Sequence, residues 1–100
     1  MARPLLERRL IDIAERIKRL RADAAVAAEQ VAHLEDEARD FELRALVSET
    51  PMAGVEARQA RRHADAQAAQ RDSLLRSITD LEREQDALLD RMAAELTDGS

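Results

Sequence analysis

LERRLIDIAERIKRLRADAAVAAEQVAHLEDEARDFELRA, residues 6–45, places an apolar or small side chain at alternating intervals of four and three residues: Leu6, Leu10, Ile13, Ile17, Leu20, Ala24, Ala27, Val31, Leu34, Ala38, Phe41 and Ala45. A mean spacing of 3.5 residues keeps one stripe of an α-helix turned toward a single partner helix, so this pattern predicts a coiled-coil seam. In heptad terms Leu10, Ile17, Ala24, Val31, Ala38 and Ala45 take position a, and Leu6, Ile13, Leu20, Ala27, Leu34 and Phe41 take d.

The second half repeats the pattern with Ala57, Ala64, Arg71, Ile78, Gln85 and Met92 at a, and Ala60, Gln67, Leu74, Leu81 and Leu88 at d. Between the halves, Ser48-Glu49-Thr50-Pro51-Met52-Ala53-Gly54 is the only punctuation in the chain interior. Thr50 suits a helix cap because its hydroxyl can accept from an orphan amide, and Pro51 suits the first helical position, where its missing N–H has no partner to lose. The expected organisation is a single helical hairpin over residues 1–100, with helix 1 at about 4–47, a turn at about 48–53, helix 2 at about 51–96 and a tail at 97–100 in which Gly99 ends the helix. Each arm would be about 65 Å long at ~1.5 Å per residue.

An antiparallel fold-back requires residues of the two seams to face each other at a constant sum of numbers, and a sum near 98 pairs Leu6 with Met92, Leu10 with Leu88, Ile17 with Leu81, Leu34 with Ala64 and Phe41 with Ala57. In that register Arg16 faces Glu84, Arg44 faces Glu56 and Glu37 faces His63 along the g edge, while Glu35 faces Arg61 along e. Arg9 against Arg91 is the one mismatch. The net charge is +4 over residues 1–21, −6 over 22–50, +2 over 51–77 and −5 over 78–100, so a hairpin sets opposite charges side by side. A parallel dimer would set like against like. The fold class is thus all-α, an antiparallel two-helix coiled-coil hairpin.

A second apolar stripe predicts association. Only thirteen seam positions carry a large apolar side chain. Ala14, Ala28, Ala68, Leu75, Leu89 and Leu96 line the e edge, with Ile11, Ala25, Ala32 and Leu46 at neighbouring b positions, whereas the g edge is charged. The expected dimer face is Ile11, Ala14, Ala28, Ala68, Leu75, Leu89 and Leu96, through which two hairpins form a four-helix bundle. At the turn, Leu43, Leu46, Val47, Met52 and Val55 lie off the seam. They either pack together and staple the helix ends or form a partner-docking tip.

Composition excludes several classes. The 100 residues include no Cys, two Gly, two Pro and one aromatic, Phe41, and 20 are Ala. Disulfide frameworks, thiolate metal sites and turn-rich β domains are excluded on that basis. Fifteen Arg against one Lys, with so much Ala, leads one to expect a GC-rich, bacterial coding sequence. A net charge of −5 and the absence of an aromatic platform argue against nucleic acid as a partner, despite a small cluster of Arg39, Arg58, Arg61 and Arg62. No apolar run has the ~20 residues needed to cross a bilayer, and the Arg-rich start lacks the apolar core of a secretory signal, so a cytoplasmic location is expected.

The chemistry-bearing motifs of phosphate loops, dinucleotide folds, nucleophile elbows and zinc hydrolases are absent, and a two-helix hairpin has no enclosed pocket. No catalytic residue and no cofactor is expected. His33, Glu37 and His63 are the nearest approach to a metal set, but His33 at c faces away, and no metal is assigned. Arg71 and Gln67 fall on the seam opposite Ala27 and Val31, where small neighbours leave room for their polar ends to reach solvent.

In outline the two arms resemble the long hairpin of bacterial Gre-type transcript-cleavage factors, which enters a channel of RNA polymerase. That resemblance implies adjacent acidic residues at the tip to hold a catalytic Mg²⁺, where this turn has only Glu49. Prefoldin-like chaperones and ribosome-bound hairpins share the outline. The functional expectation is a non-enzymatic interaction or assembly module that forms a homodimer and docks a protein partner through its tip or charged edge. The alternative is a regulator whose tip probes a polymerase or ribosome.

Overall fold

A computed structural model describes residues 3–98 of the chain. Two long helices, α1 (Arg3–Ser48) and α2 (Pro51–Asp98), pack against each other as a hairpin. Only Glu49 and Thr50 separate them. α1 extends one residue beyond the predicted segment at each end. α2 runs on past residue 96, so Thr97 and Asp98 of the expected tail are helical; the Thr97 hydroxyl donates to the Ala93 carbonyl (3.0 Å) within the last turn. The expected terminator Gly99, with Ser100, lies outside the described residues.

The turn is built from two complementary caps. Glu49 adopts a left-handed conformation (φ 54°), and its N–H donates to the Ala45 carbonyl at 3.2 Å, which ends α1 by satisfying one of its orphan acceptors. Thr50 then starts α2. Its hydroxyl accepts from the Ala53 N–H at 3.2 Å and its carbonyl from the Gly54 N–H at 3.3 Å, with Pro51 at the first helical position.

The chain divides into two compact units, Met1–Asp23 with Leu74–Ser100, and Ala24–Ser73. In the first, the terminal unit, the seam buries Leu6, Ile13, Ile17, Ile78, Leu81 and Leu88, and Ile13 is wholly enclosed. In the second, the turn unit, the buried set is smaller in volume: Ala24, Ala27, Val31, Ala38, Ala57 and Ala64. Every one of these twelve occupies a predicted a or d position. The remaining seam residues, Arg71, Gln67 and Gln85 included, are half-buried. No polar or charged residue among those described is buried, and Arg71 on the seam reaches outward to Asp72 (3.0 Å) instead of burying its charge.

A non-glycine residue in the left-handed region carries steric strain of about 1–2 kcal/mol, whereas glycine carries none. Replacing Glu49 with Gly should therefore stabilise the hairpin by about 1 kcal/mol after the added flexibility of the unfolded chain is counted. Urea unfolding followed by circular dichroism would register this as a higher midpoint with an unchanged slope.

Candidate interaction surface

Ion pairs along the edges of the seam fix which faces remain open. In the terminal unit, Arg21 meets Glu82 at 2.9 Å on the e edge, and Arg9 meets Glu84 on the g edge. The expected Arg16–Glu84 pair does not form, since Arg9 takes Glu84. A guanidinium on a long stem can cross diagonally by one heptad, and doing so moves Arg9 away from the like charge of Arg91. In the turn unit Arg61 holds two carboxylates, Glu35 at 2.7 Å, as the register requires, and Glu42 at 2.9 Å. The expected Arg44–Glu56 pair is absent; the Arg44 guanidinium instead stacks 5.2 Å from the centroid of the Phe41 ring.

The three-cornered Arg61 cluster has a measurable electrostatic signature. Hydrogen bonds from Arg61 hold the Glu42 carboxyl below the usual carboxylate range, partly opposed by desolvation and supported by the charges of Arg61 and Arg39. The same hydrogen bonds, from Glu42 first and Glu35 second, raise the Arg61 guanidinium above its ordinary value.

The apolar e and b side chains of the terminal unit stay on the surface: Ile11, Leu75, Leu89 and Leu96 are each roughly half exposed, and Ala14 is open beside them. Leu5, a residue outside the predicted face, is exposed as well. In the turn unit Ala28 is exposed and Ala68 half-buried. Val26, also unpredicted, is exposed at position c, where a heptad reading expects a solvated side chain.

The first reading of the turn cluster, in which its members pack together and staple the helix ends, is opposed by their exposure. Leu43, Leu46, Val47, Met52 and Val55 all remain exposed, Val47 at 79%. A two-residue connection leaves no chain to fold over them, and their c, f and b positions turn outward from the seam. Sequence reasoning also missed a shallow groove of about 560 Å³ on the e side of this unit. It is lined by the apolar Leu46, Gly54 and Ala57 and by the charged Glu42, Arg58, Arg61 and Arg62. Gly54 gives the groove its depth, and the Arg58 Nη1 lies 3.3 Å from where a Cβ on Gly54 would stand. The arginine cluster read from sequence is thereby reduced. Arg61 is neutralised by Glu35 and Glu42, and Arg39 lies 3.4 Å from Asp36, which leaves Arg58 and Arg62 without carboxylate partners.

His33 pairs with Glu37 (3.6 Å) on the open surface, and Glu37 and His63 line a second groove with Leu34 and Phe41. Among the described residues no group of three His, Cys, Asp or Glu side chains is arranged to hold a metal ion. No helix among them is long and apolar enough to cross a membrane. Comparison with protein-family models, with curated proteins and with solved structures finds no match to this chain.

Because the Glu42 pKa is lowered by folding, its bond to Arg61 stabilises the hairpin above the pKa of the unfolded carboxyl, and that contribution disappears as pH falls through the folded value. An Arg61→Met variant should melt below the wild type at about pH 7, and the gap between the two should narrow steadily on acidification through the carboxylate range. Thermal melts across that series would show it; a constant gap would mean Arg61 acts through packing alone.

Proposed function

We propose that this chain is a non-enzymatic coiled-coil assembly module that self-associates through its e edge and docks a protein partner through its turn end. The observation that carries this reading is an inversion of the usual burial. Among the described residues eleven large apolar side chains are exposed, while seven, Leu6, Ile13, Ile17, Val31, Ile78, Leu81 and Leu88, are buried. Single exposed apolar residues are ordinary, but clusters at fixed heptad positions mark contact surfaces.

Two such clusters have different characters. Ile11, Leu75, Leu89 and Leu96 recur along one edge of the terminal unit, which suits a second helical layer and a dimeric four-helix bundle. Leu43, Leu46, Val47, Met52 and Val55 gather at the turn, which suits insertion of that end into an apolar site on another protein. A regulator whose turn end enters a polymerase or ribosome draws on this second cluster. Glu49 is the only carboxylate in the two-residue turn, so the cluster favours apolar docking over metal-dependent cleavage by that end.

Light scattering on the purified chain at micromolar concentration should return twice the monomer mass, and a Leu75→Glu, Leu89→Glu variant should return the monomer with its helicity retained. A monomeric wild type would sink the self-association half of the reading. For the turn end, Val47→Ser with Met52→Ser should leave stability within about 0.5 kcal/mol, as expected of exposed side chains. Affinity capture from the source cell should then lose a protein that the wild type retains; retention of every captured protein would count against a docking tip.

A further inference from the structure

The groove at Leu46, Gly54 and Ala57 has a matching surface elsewhere on the same chain. Its lining includes Arg58 and Arg62, one helical turn apart, exposed and without carboxylate partners. On α2, Asp86 and Asp90 are likewise exposed and without cationic partners, and they flank Leu89, an exposed apolar side chain on the same e edge. An apolar lining beside two free cations is complemented by two free anions on a stretch that carries the exposed side chains of Leu89 and, one heptad on, Leu96. We propose that the groove is occupied by the Asp86–Leu96 stretch of a second copy, running antiparallel to α2.

The heptad count supplies an independent reason for choosing a second copy. Gly54, Arg61, Ala68, Leu75, Glu82, Leu89 and Leu96 follow one another at seven-residue intervals along the e edge of α2, and Leu75 stands three heptads from both Gly54 and Leu96. Two copies of α2 paired antiparallel about Leu75 therefore set Leu75 against its own counterpart. The same pairing sets Leu96 against Gly54, the one e position with no side chain, and Arg61 against Leu89. At the neighbouring f positions Arg62 falls beside Asp90. Arg58, one turn earlier at b, has Asp86 as its diagonal neighbour, the kind of one-heptad reach that Arg9 makes to Glu84 within the hairpin. Arg61 does not compete for these anions, because Glu35 and Glu42 already hold it.

This inference rests on the self-association proposed above and specifies its surface. Its test is a charge exchange. Arg58→Glu with Arg62→Glu sets acid against acid, and Asp86→Arg with Asp90→Arg sets base against base; all four positions are exposed, and circular dichroism should show both variants still helical. Each variant alone should self-associate at least about tenfold more weakly than the wild type. An equimolar mixture should form a one-to-one heterodimer of near wild-type affinity, since one of its two contacts is native and the other is exchanged. Sedimentation velocity with one variant labelled reads this directly. If the wild type dimerises and both variants dimerise equally well, the groove proposal is overturned, the self-association reading survives, and the groove is left to another protein. If the variants weaken and the mixture does not recover, the proposed contact is also wrong. A monomeric wild type overturns both.

Discussion

A helix with a single neighbour can bury only one stripe of its surface, and most of what this chain displays follows from that limit. In each compact unit the a and d side chains fill the strip between α1 and α2, and the next positions round the helix, e and g, can be only partly covered. A larger fold would enclose them with a third or fourth element. Here the flanking positions must be made either ionic or apolar and open, and the sequence uses both solutions on different stretches. Glu35, Glu42, Arg61, Arg21 and Glu82 close parts of the e edge by ion pairing, whereas Leu75, Leu89 and Leu96 leave other parts of it apolar and open.

The two seams are not equivalent. The terminal unit buries branched side chains and the turn unit buries mainly alanine, so apolar burial contributes less per residue near the turn. Alanine lets the two backbones approach closely and contributes the highest intrinsic helix propensity, which offsets part of that deficit. The Arg61 cluster and the paired caps at Glu49 and Thr50 belong to this same unit. Exposed ion pairs contribute little individually, but one guanidinium shared by two carboxylates is a network with fixed geometry, and its role is to hold the register where the apolar seam specifies it least.

The seam was fully legible because periodicity is a collective signal: a slip by one residue would turn a whole stripe outward, and each of the twelve buried residues falls where the 3.5-residue spacing put it. The caps were legible for a local reason, since threonine followed by proline satisfies the start of a helix without reference to anything distant. The individual ion pairs were not. Glu35–Arg61 formed as the register required, yet Arg16–Glu84 and Arg44–Glu56 did not, because an arginine side chain reaches more than one acceptor and a direct facing rule treats it as rigid. The end of α2 was misplaced for a similar reason: threonine and aspartate were read as tail residues, whereas the Thr97 hydroxyl bonds back to the preceding turn and the helix continues through both. The groove at Gly54 was hidden because a glycine in the first turns of a helix reads as punctuation. It has no positive φ and sits as an ordinary helical residue, and the room left by its absent side chain lets the Arg58 guanidinium come within 3.3 Å of where a Cβ would stand.

Charge distribution separates the open surfaces further. The arginine cluster that a sequence reader sees near the turn is, in three dimensions, two different things. Arg61 is an internal fastening, its charge met twice over, and Arg39 leans toward Asp36 on its own helix. Arg58 and Arg62 have no carboxylate partner and line the groove beside apolar residues, and a cation so placed governs which partners approach and in which orientation more than how tightly they hold. The two surfaces meet at Leu46, which lines the groove and also belongs to the turn cluster, so the assembly and the attachment we propose would draw on one shared side chain.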